Sequence, residues 1–203
     1  MASRIIVQDC FAKPIRRVTG FDVAYLDDEA VVAAVTLQYS TSEVVEKKTM
    51  MTKVSFPYIS TFLGLREGPL IIRLAENLRS EPDILMINSQ GIAHPRFYGC
   101  ACHIGLCLSK PTIGVAGRRL CGEYECKPEE VGDSVPLKYQ ERIVGAVLLS
   151  KLGCKPIFVS VGHMISLPTA IETVKHFLAS GKLPEPLRLA HGLANALKRE
   201  AMM

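Results

Sequence analysis

The feature that most constrains the fold is a run of four apolar residues, Ile84–Ile87, which lies between Pro82 and the turn sequence Ser89-Gln90-Gly91. A short, continuous apolar run bounded by turn residues is typical of a strand that is covered on both faces. Strands of this kind are usually parallel, and parallel strands are joined by crossovers that are mostly helical. The run therefore predicts an α/β protein with a central sheet and flanking helices.

The segments around this strand predict the order of the elements. Three β-rich stretches between Arg16 and Val54 are separated by short polar breaks, which favours an antiparallel meander. The rest of the pattern predicts helices over 61–78 (interrupted at Pro69), 97–108, 168–180 and 185–199, strands over 82–88, 111–117, 141–150 and 155–162, and a loop over 122–137. Three strands, helix, strand, helix, strand is the order of an RNase H-like core with a mixed sheet, although other α/β folds share it.

Bulk properties place few limits on function. A chain of 203 residues with 48% hydrophobic content is expected to form a single domain over residues 1–203. The net charge of +4 only weakly indicates a polyanionic partner. No apolar run reaches the roughly 18 residues of a membrane span, and the early charges do not fit a secretory signal, so we expect a cytoplasmic protein without a membrane partner.

The seven cysteines show no paired CxxC spacing of the kind that binds zinc. Buried free thiols are the leading interpretation. Cys121 and Cys126 could instead form a bridge if they face each other across a turn, and this alternative stays open.

Four polar residues fall at positions where ligands are often bound. Asp22 lies within an apolar strand, where a lone carboxylate costs several kcal/mol unless a cation or donors compensate it. An exposed aspartate on an edge strand explains it equally well. Asn88 ends the buried strand at its carboxyl edge, where α/β sheets bind ligands. From its own segment alone, Glu67 is best interpreted as a solvated residue on a helix face, and His191 as a structural residue.

Seven segments resemble the endonuclease V family in order and spacing: TGFDVAY, FPYIS, LREGPL, SQGIAHPR, PTIGVAGRRL, KPIFVSVGH and LPEPLRLAH. The resemblance covers nearly the whole chain. It implies an RNase H-like fold and metal-dependent cleavage of DNA near deaminated adenine (hypoxanthine) in DNA repair, with RNA as an open alternative. It also implies Mg²⁺ or Mn²⁺ as cofactor, no organic cofactor and a monomer.

The resemblance assigns roles to individual positions. Catalytic positions are Asp22, Glu67, Asn88 and His191, of which Asp22, Asn88 and Glu67 would hold the metal through oxygen. Pro57-Tyr58-Ile59 would form a wedge that enters beside the lesion, and Arg119 would contact phosphate. The pocket for the flipped base would be lined by Leu63, Ser89, Gly91, His94, Gly99 and Leu120.

The chain departs from the family where an aspartate and a lysine are usual: Asn88 stands at the aspartate position and Gly117 at the lysine position. Asp83 is too distant to replace the lost carboxylate, whereas Glu123 and Glu125 stay open as replacements. Ser89 replaces a usual glycine and Ser60 a usual proline. We therefore expect a nuclease, with a homologue that binds nucleic acid without cleaving it as the alternative. A scaffold for an unrelated partner is a third option to which no residue points.

Overall fold

The computed structural model describes residues 1–57, 59 and 61–202. Its strands are β1 (Arg17–Leu26), β2 (Glu29–Gln38), β3 (Val44–Lys53), β4 (Ile84–Ile87), β5 (Thr112–Ala116), β6 (Ser134–Tyr139), β7 (Arg142–Leu148) and β8 (Ile157–His163). Its helices are α1 (Leu63–Ala75), α2 (Cys100–Leu108), α3 (Leu167–His176) and α4 (Glu185–Ala201). In this part of the chain, no helix is both long and apolar enough to cross a membrane.

All eight strands join one sheet in the order β3-β2-β1-β4-β5-β8-β7-β6. The predicted meander is confirmed, since β2 is antiparallel to both β1 and β3. Strand β4 pairs in parallel with β1 and with β5, as the apolar run Ile84–Ile87 predicts. This mixed sheet with its helices confirms the RNase H-like fold. Because β1, β4 and β5 run in the same direction, their carboxyl ends meet at one edge of the sheet.

Alternate residues of these strands enter two cores on opposite faces of the sheet. Val18, Met86 and Val115 pack with α3 and α4, which contribute residues such as Val174 and Ala190. Phe21, Leu85 and Ile87 pack on the other face against α1 and α2. Successive side chains at the carboxyl edge therefore face alternate helical layers, so the position of a residue along its strand decides which layer it faces.

Predictions for α1, α2 and the segment 122–137 were wrong in part, and α3 ends at His176 rather than at Ser180. Helix α1 continues through Pro69, because the burial of Ile71 and Leu74 in the core stabilises a helix that the proline weakens. Helix α2 begins at Cys100 rather than Phe97, whose φ of 52° is left-handed. The predicted loop over 122–137 contains the start of β6, an edge strand, where Pro136 is tolerated.

The cysteines are all free thiols, so the alternative of a Cys121–Cys126 bridge is wrong. Burial was predicted correctly only for Cys100 and Cys102, which lie in α2. The other five are exposed or partly exposed. Burial raises the pKa of the Cys100 thiol well above its ordinary range, so this residue acts as a packing group.

Candidate active site

Asp22 and Asn88 lie side by side where β4 ends next to the middle of β1. The parallel register pairs Phe21 with Ile87, so the next residues of both strands are neighbours on the α4 face. The Asn88 side-chain amide Nδ2 donates to Asp22 Oδ1 over 2.7 Å. Asp22 is only 7% exposed and belongs to an interior strand, so the alternative of an exposed edge-strand aspartate is wrong.

His191 completes this cluster from the first half of α4. Its Nδ1 lies 2.6 Å from Asp22 Oδ2, so the two carboxylate oxygens of Asp22 have separate partners. Its Nε2 lies 3.2 Å from Asn195 Nδ2. The side chain of His191 is 56% exposed, and it therefore connects the buried carboxylate to solvent. A histidine that looks structural in the sequence is placed at the site by the packing of α4 against β1.

Glu67 reaches the same edge from α1, on the opposite face of the sheet. It is only 8% exposed, and the Tyr25 hydroxyl donates to its Oε1 over 2.9 Å. Burial raises the pKa of Glu67 to about 7; the nearby charge of Asp22 adds to the rise, whereas the Tyr25 hydrogen bond and Arg66 oppose it. The interpretation of Glu67 as a solvated helix-face residue is therefore wrong.

The donor set at this edge fits a divalent cation. Two buried carboxylates, Asp22 and Glu67, lie close enough for one charge to raise the pKa of the other, and a cation between them would relieve that cost. Within residues 1–57, 59 and 61–202, no three His, Cys, Asp or Glu side chains form a metal-binding group. The third oxygen available here is the side-chain carbonyl of Asn88, which faces Asp22 only after the amide has rotated.

The Lys182 ammonium lies next to Gly117, a residue without a side chain. Its Nζ donates to the Gly117 carbonyl over 3.3 Å, and a Cβ built on Gly117 would lie 3.8 Å from the same nitrogen. The loop that carries Lys182 is fixed by the Ser150 hydroxyl, which donates to the Lys182 carbonyl over 2.6 Å. In the described part of the chain, Lys182 has no carboxylate within 4.0 Å, so its charge is available at the carboxyl end of β5.

A pocket of about 620 Å³ opens beside this cluster, between the start of α1, the turn after β4 and the loop after β5. Its wall includes Asn88 together with the predicted residues Leu63, Ser89, His94, Gly99, Leu120 and Arg119. Gly91 was also predicted to line the pocket, but it lies behind the wall, where an added Cβ would overlap the backbone of Val161. This glycine therefore allows two backbone segments to approach closely.

The loop before α1, which contains the predicted wedge, is held at both ends. Arg66 Nη1 donates to the Phe56 carbonyl over 2.8 Å at one end. At the other end, the His94 Nδ1 accepts from the Arg96 amide, so its Nε2 donates to the Thr61 carbonyl over 3.1 Å. Burial lowers the pKa of His94, which favours this neutral form. No pattern in the sequence predicted this anchoring role of His94.

Pro57 and Ile59 of the predicted wedge are both exposed, and Ile59 keeps 46% of its surface accessible. The third wedge residue, Tyr58, lies outside the described residues. The glutamates that had stayed open as metal ligands do not line the pocket. Glu125 instead pairs with Lys138 over 2.7 Å, and the backbone of Glu123 bonds to the same strand.

The chain is similar in both sequence and structure to endonuclease V proteins. The model of the endonuclease V family matches residues 1–192. Endonuclease V of Dictyoglomus thermophilum is 42% identical over 191 residues, which is 94% of this chain and 83% of that protein. The structure of endonuclease V from Streptomyces avermitilis is 36% identical, with a TM-score of 0.91, and the match covers 100% of this chain and 90% of that one.

A second similar structure contains nucleic acid. It is endonuclease V of Ciona intestinalis in complex with a 24mer DNA that contains an inosine followed by a ribo-adenosine. This protein is 26% identical to the chain, with a TM-score of 0.85 and coverage of 98% of this chain and 94% of that one. The similarity therefore extends over nearly the full length of these proteins as well as of this chain.

Proposed function

The chain belongs to the endonuclease V family, and from this premise we propose that it is a metal-dependent endonuclease that cleaves DNA near hypoxanthine, as a DNA repair enzyme. The observation that carries the proposal is the meeting of Asp22, Asn88 and Glu67 beside a pocket of about 620 Å³. This volume lies within the range of about 300–1,000 Å³ that is usual for small-molecule sites, so the pocket is large enough for a purine base.

We assign the metal to the oxygens of Asp22, Glu67 and Asn88, and expect Mg²⁺ or Mn²⁺ because carboxylate and carbonyl oxygens suit both. Such an ion, when bound, activates water and stabilises the leaving oxygen of a phosphodiester. Asn88 must rotate its amide to present Oδ1, which breaks the 2.7 Å hydrogen bond to Asp22. Metal binding in this chain therefore carries a local cost that a carboxylate at position 88 would not have.

His191 orients Asp22 and holds a proton next to the reacting groups. Its Nδ1 faces Asp22 Oδ2, so Oδ1 is the oxygen that would be left to hold a metal once the Asn88 amide has rotated away. The exposed half of the ring is accessible to a phosphate or to water. Replacing His191 should therefore lower turnover more than it lowers nucleic-acid affinity.

Two cations near the pocket are placed to contact phosphate. Lys182 presents its Nζ at Gly117, on the same sheet face as Asp22 and Asn88 by strand parity. Arg119 lies on the pocket wall two residues beyond Gly117. We assign the scissile phosphate to Lys182, because its nitrogen is held at the carboxyl end of β5 by the loop that Ser150 anchors.

The pocket receives the flipped base in this proposal, and the anchored loop before α1 carries the wedge. Pro57 and Ile59 are exposed where they would enter beside the lesion, and Tyr58 between them supplies the aromatic ring. Stacking on an aromatic ring offsets part of the few kcal/mol that unstacking costs. A Tyr58→Ala variant should bind inosine-containing DNA less tightly than the unaltered protein does.

We also propose that the 203 residues act as one monomeric domain. The eight-stranded sheet takes its strands from residues 17–163, and α4 packs back on β1 and β2. Size-exclusion chromatography with light scattering tests the monomer directly: a mass near 22.3 kDa supports it, and twice that mass contradicts it.

Cleavage of labelled inosine-containing oligonucleotides tests the main proposal. Single- and double-stranded DNA and matched RNA are incubated with the protein and Mg²⁺ or Mn²⁺. A nick that depends on metal and on inosine, is lost in Asp22→Asn and persists in Asp28→Asn supports the proposal; Asp28 is an exposed aspartate on the turn after β1. No nick with any substrate or metal would refute it, and the RNA arm decides between the two nucleic acids.

The second candidate function is binding without cleavage. It is favoured by Asn88 and His191, which give both oxygens of Asp22 a hydrogen-bond partner. In this case the protein binds inosine-containing DNA in a salt-dependent manner, and added Mg²⁺ changes neither affinity nor product. Recovery of cleavage in Asn88→Asp alone would identify the chain as such a binder.

A further inference from the structure

A second cationic surface lies at the opposite edge of the sheet from Asp22. Two adjacent concavities of about 520 Å³ and 360 Å³ share Arg17 and Arg79 in their walls. We call this surface the distal cleft and define its cations as Arg16, Arg17, Lys47, Lys48 and Arg79. Gathering like charges in a concave surface is unfavourable unless carboxylates or a bound anion compensate them.

The carboxylates near the distal cleft accept hydrogen bonds from backbone amides and not from the guanidinium groups of the cleft. Glu46 accepts from the backbone amides of Arg79 and Ser80 and from the Ser80 hydroxyl, at 2.6–3.1 Å. Asp83 Oδ2 accepts from the backbone amides of Arg16 and Arg17, at 2.7 and 2.9 Å. These hydrogen bonds hold the backbone of the three arginines of the cleft, Arg16, Arg17 and Arg79, in place.

The cations themselves remain without acidic partners. In the described part of the chain, none of the five lies within 4.0 Å of a carboxylate oxygen. Glu81 lines the smaller concavity and reduces its charge there. Lys48 donates to the Asn77 carbonyl, so the Lys47 ammonium and the guanidinium groups of Arg16, Arg17 and Arg79 are left for a ligand. Guanidinium groups without a carboxylate partner suit phosphate oxygens, which they bind in pairs.

The position of the cleft suggests what it binds. Arg17 begins β1 and Asp22 lies five residues further along it, a separation of about 16 Å at ~3.3 Å per residue. Successive phosphates of one strand of a duplex advance by about 3.4 Å along the helix axis, so this separation equals roughly five nucleotides. A nucleic acid held at Asp22 is therefore long enough to reach the distal cleft when it extends a few nucleotides beyond the lesion.

We propose that the distal cleft binds the phosphate backbone of the same nucleic acid that the proposed active site holds, at a position remote from the cleavage site. This inference rests on the proposed function for the choice of nucleic acid as ligand. Binding at the distal cleft makes affinity depend on substrate length, because only an extended substrate contacts both the cleft and the site at Asp22. It adds no sequence preference, since backbone contacts carry none.

The test compares Arg17→Gln/Arg79→Gln with the unaltered protein and with Lys127→Gln/Lys155→Gln, a matched loss of two exposed cations elsewhere on the surface. Affinities for oligonucleotides of about 5 and about 30 nucleotides, each with one inosine at its centre so that only the long one extends five or more nucleotides beyond the lesion, are measured by fluorescence anisotropy between about 50 and 200 mM salt. The proposal expects the arginine variant to bind the long oligonucleotide about tenfold or more weakly, with a salt slope smaller by about 1.5–2. Its affinity for the short one and its melting temperature should equal those of the lysine control.

Other outcomes overturn the inference. Equal binding of the long oligonucleotide by the arginine variant and the lysine control would show that the cleft does not contact it. A further arm titrates tripolyphosphate: competition by this ion without any effect of oligonucleotide length would assign the cleft to free polyphosphate instead. Because binding is measured without metal, a length effect supports the cleft even if no substrate is cleaved, and cleavage without a length effect contradicts the cleft alone.

Discussion

The substitution Asn88→Asp tests whether the side chain at position 88 contributes to the proposed metal site. In the structure, Asn88 Nδ2 donates to Asp22 Oδ1 over 2.7 Å, so the amide stabilises the Asp22 carboxylate without a metal. An aspartate at this position removes that donor and adds a third carboxylate to Asp22 and the buried Glu67. The change should weaken the metal-free protein and strengthen the metal complex.

The size of both effects follows from the geometry. A charge pair about 4 Å apart at an effective dielectric of 20 is worth ~4 kcal/mol. If the added carboxylate gains this energy with a bound divalent cation, metal affinity rises by up to about a thousandfold, and turnover rises by the same factor if the gain appears in the transition state. Repulsion from Asp22, now without its donor, is an opposing cost in the metal-free state and is partly relieved by proton uptake.

Thermal unfolding and cleavage measure the two effects separately. Melting temperatures are recorded with chelator and with excess Mg²⁺ for the unaltered protein, for Asn88→Asp and for Asn77→Asp, which makes the same change at an exposed helix end. We expect Asn88→Asp to melt lower than the unaltered protein in chelator and to gain more from Mg²⁺. Cleavage of an inosine-containing oligonucleotide should be faster in this variant at limiting Mg²⁺.

One result would refute this reasoning. If Asn88→Asp and the unaltered protein show the same melting temperature in chelator and the same gain from Mg²⁺, position 88 does not interact with a metal. The hydrogen bond from Asn88 to Asp22 would then be a packing feature of the strand end.

Three further predictions concern other parts of the molecule. Burial alone would raise the pKa of Glu46, but hydrogen bonds from Ser80 and from backbone amides bring it below its ordinary 4.5, so the stability that these bonds contribute is present above pH 4.5 and is lost as the pH falls through the folded-state pKa. Glu46→Gln should therefore lower the melting temperature at about pH 7, and this difference should shrink as the pH is lowered below 4.5. Gly20→Ala should cost about 1–3 kcal/mol in urea unfolding, because its Cβ would overlap the Pro186 backbone and displace α4. His191→Ala should lower turnover about tenfold or more with little change in substrate affinity, since the ring contacts Asp22 rather than the pocket wall; a change confined to affinity would contradict this.

The fold was predictable because its strongest signals are local. The apolar run Ile84–Ile87 specifies a covered parallel strand, and the polar breaks before it specify the meander. The errors occurred where tertiary packing outweighs a local preference. Pro69 weakens α1 by itself, but Ile71 and Leu74 on the same helix are buried and keep it continuous.

The Asp22–Asn88 pair was partly visible in the sequence, since Asp22 was assigned to the interior of an apolar strand and Asn88 to the carboxyl end of another. Their contact depends on the parallel register of β1 with β4, which pairs Phe21 with Ile87. Glu67 looked solvated because its neighbours along the helix include Arg66, whereas its burial comes from Tyr25 and from elements far along the chain. A residue's own helix or strand does not determine what packs against it.

Lys182 shows why the remainder of the site could not be found in the sequence. It lies 65 residues from Gly117, in the loop between α3 and α4, and its position depends on the Ser150 hydroxyl bonding to its carbonyl. From the sequence, Arg119 is the nearest cation to the missing side chain, and it does line the pocket. The structure instead brings the Lys182 ammonium to Gly117 from the opposite direction. A charge that a strand lacks in its own sequence can therefore be supplied across the fold, and glycine at position 117, where the resemblance predicts a lysine, does not by itself imply the loss of the proposed phosphate contact.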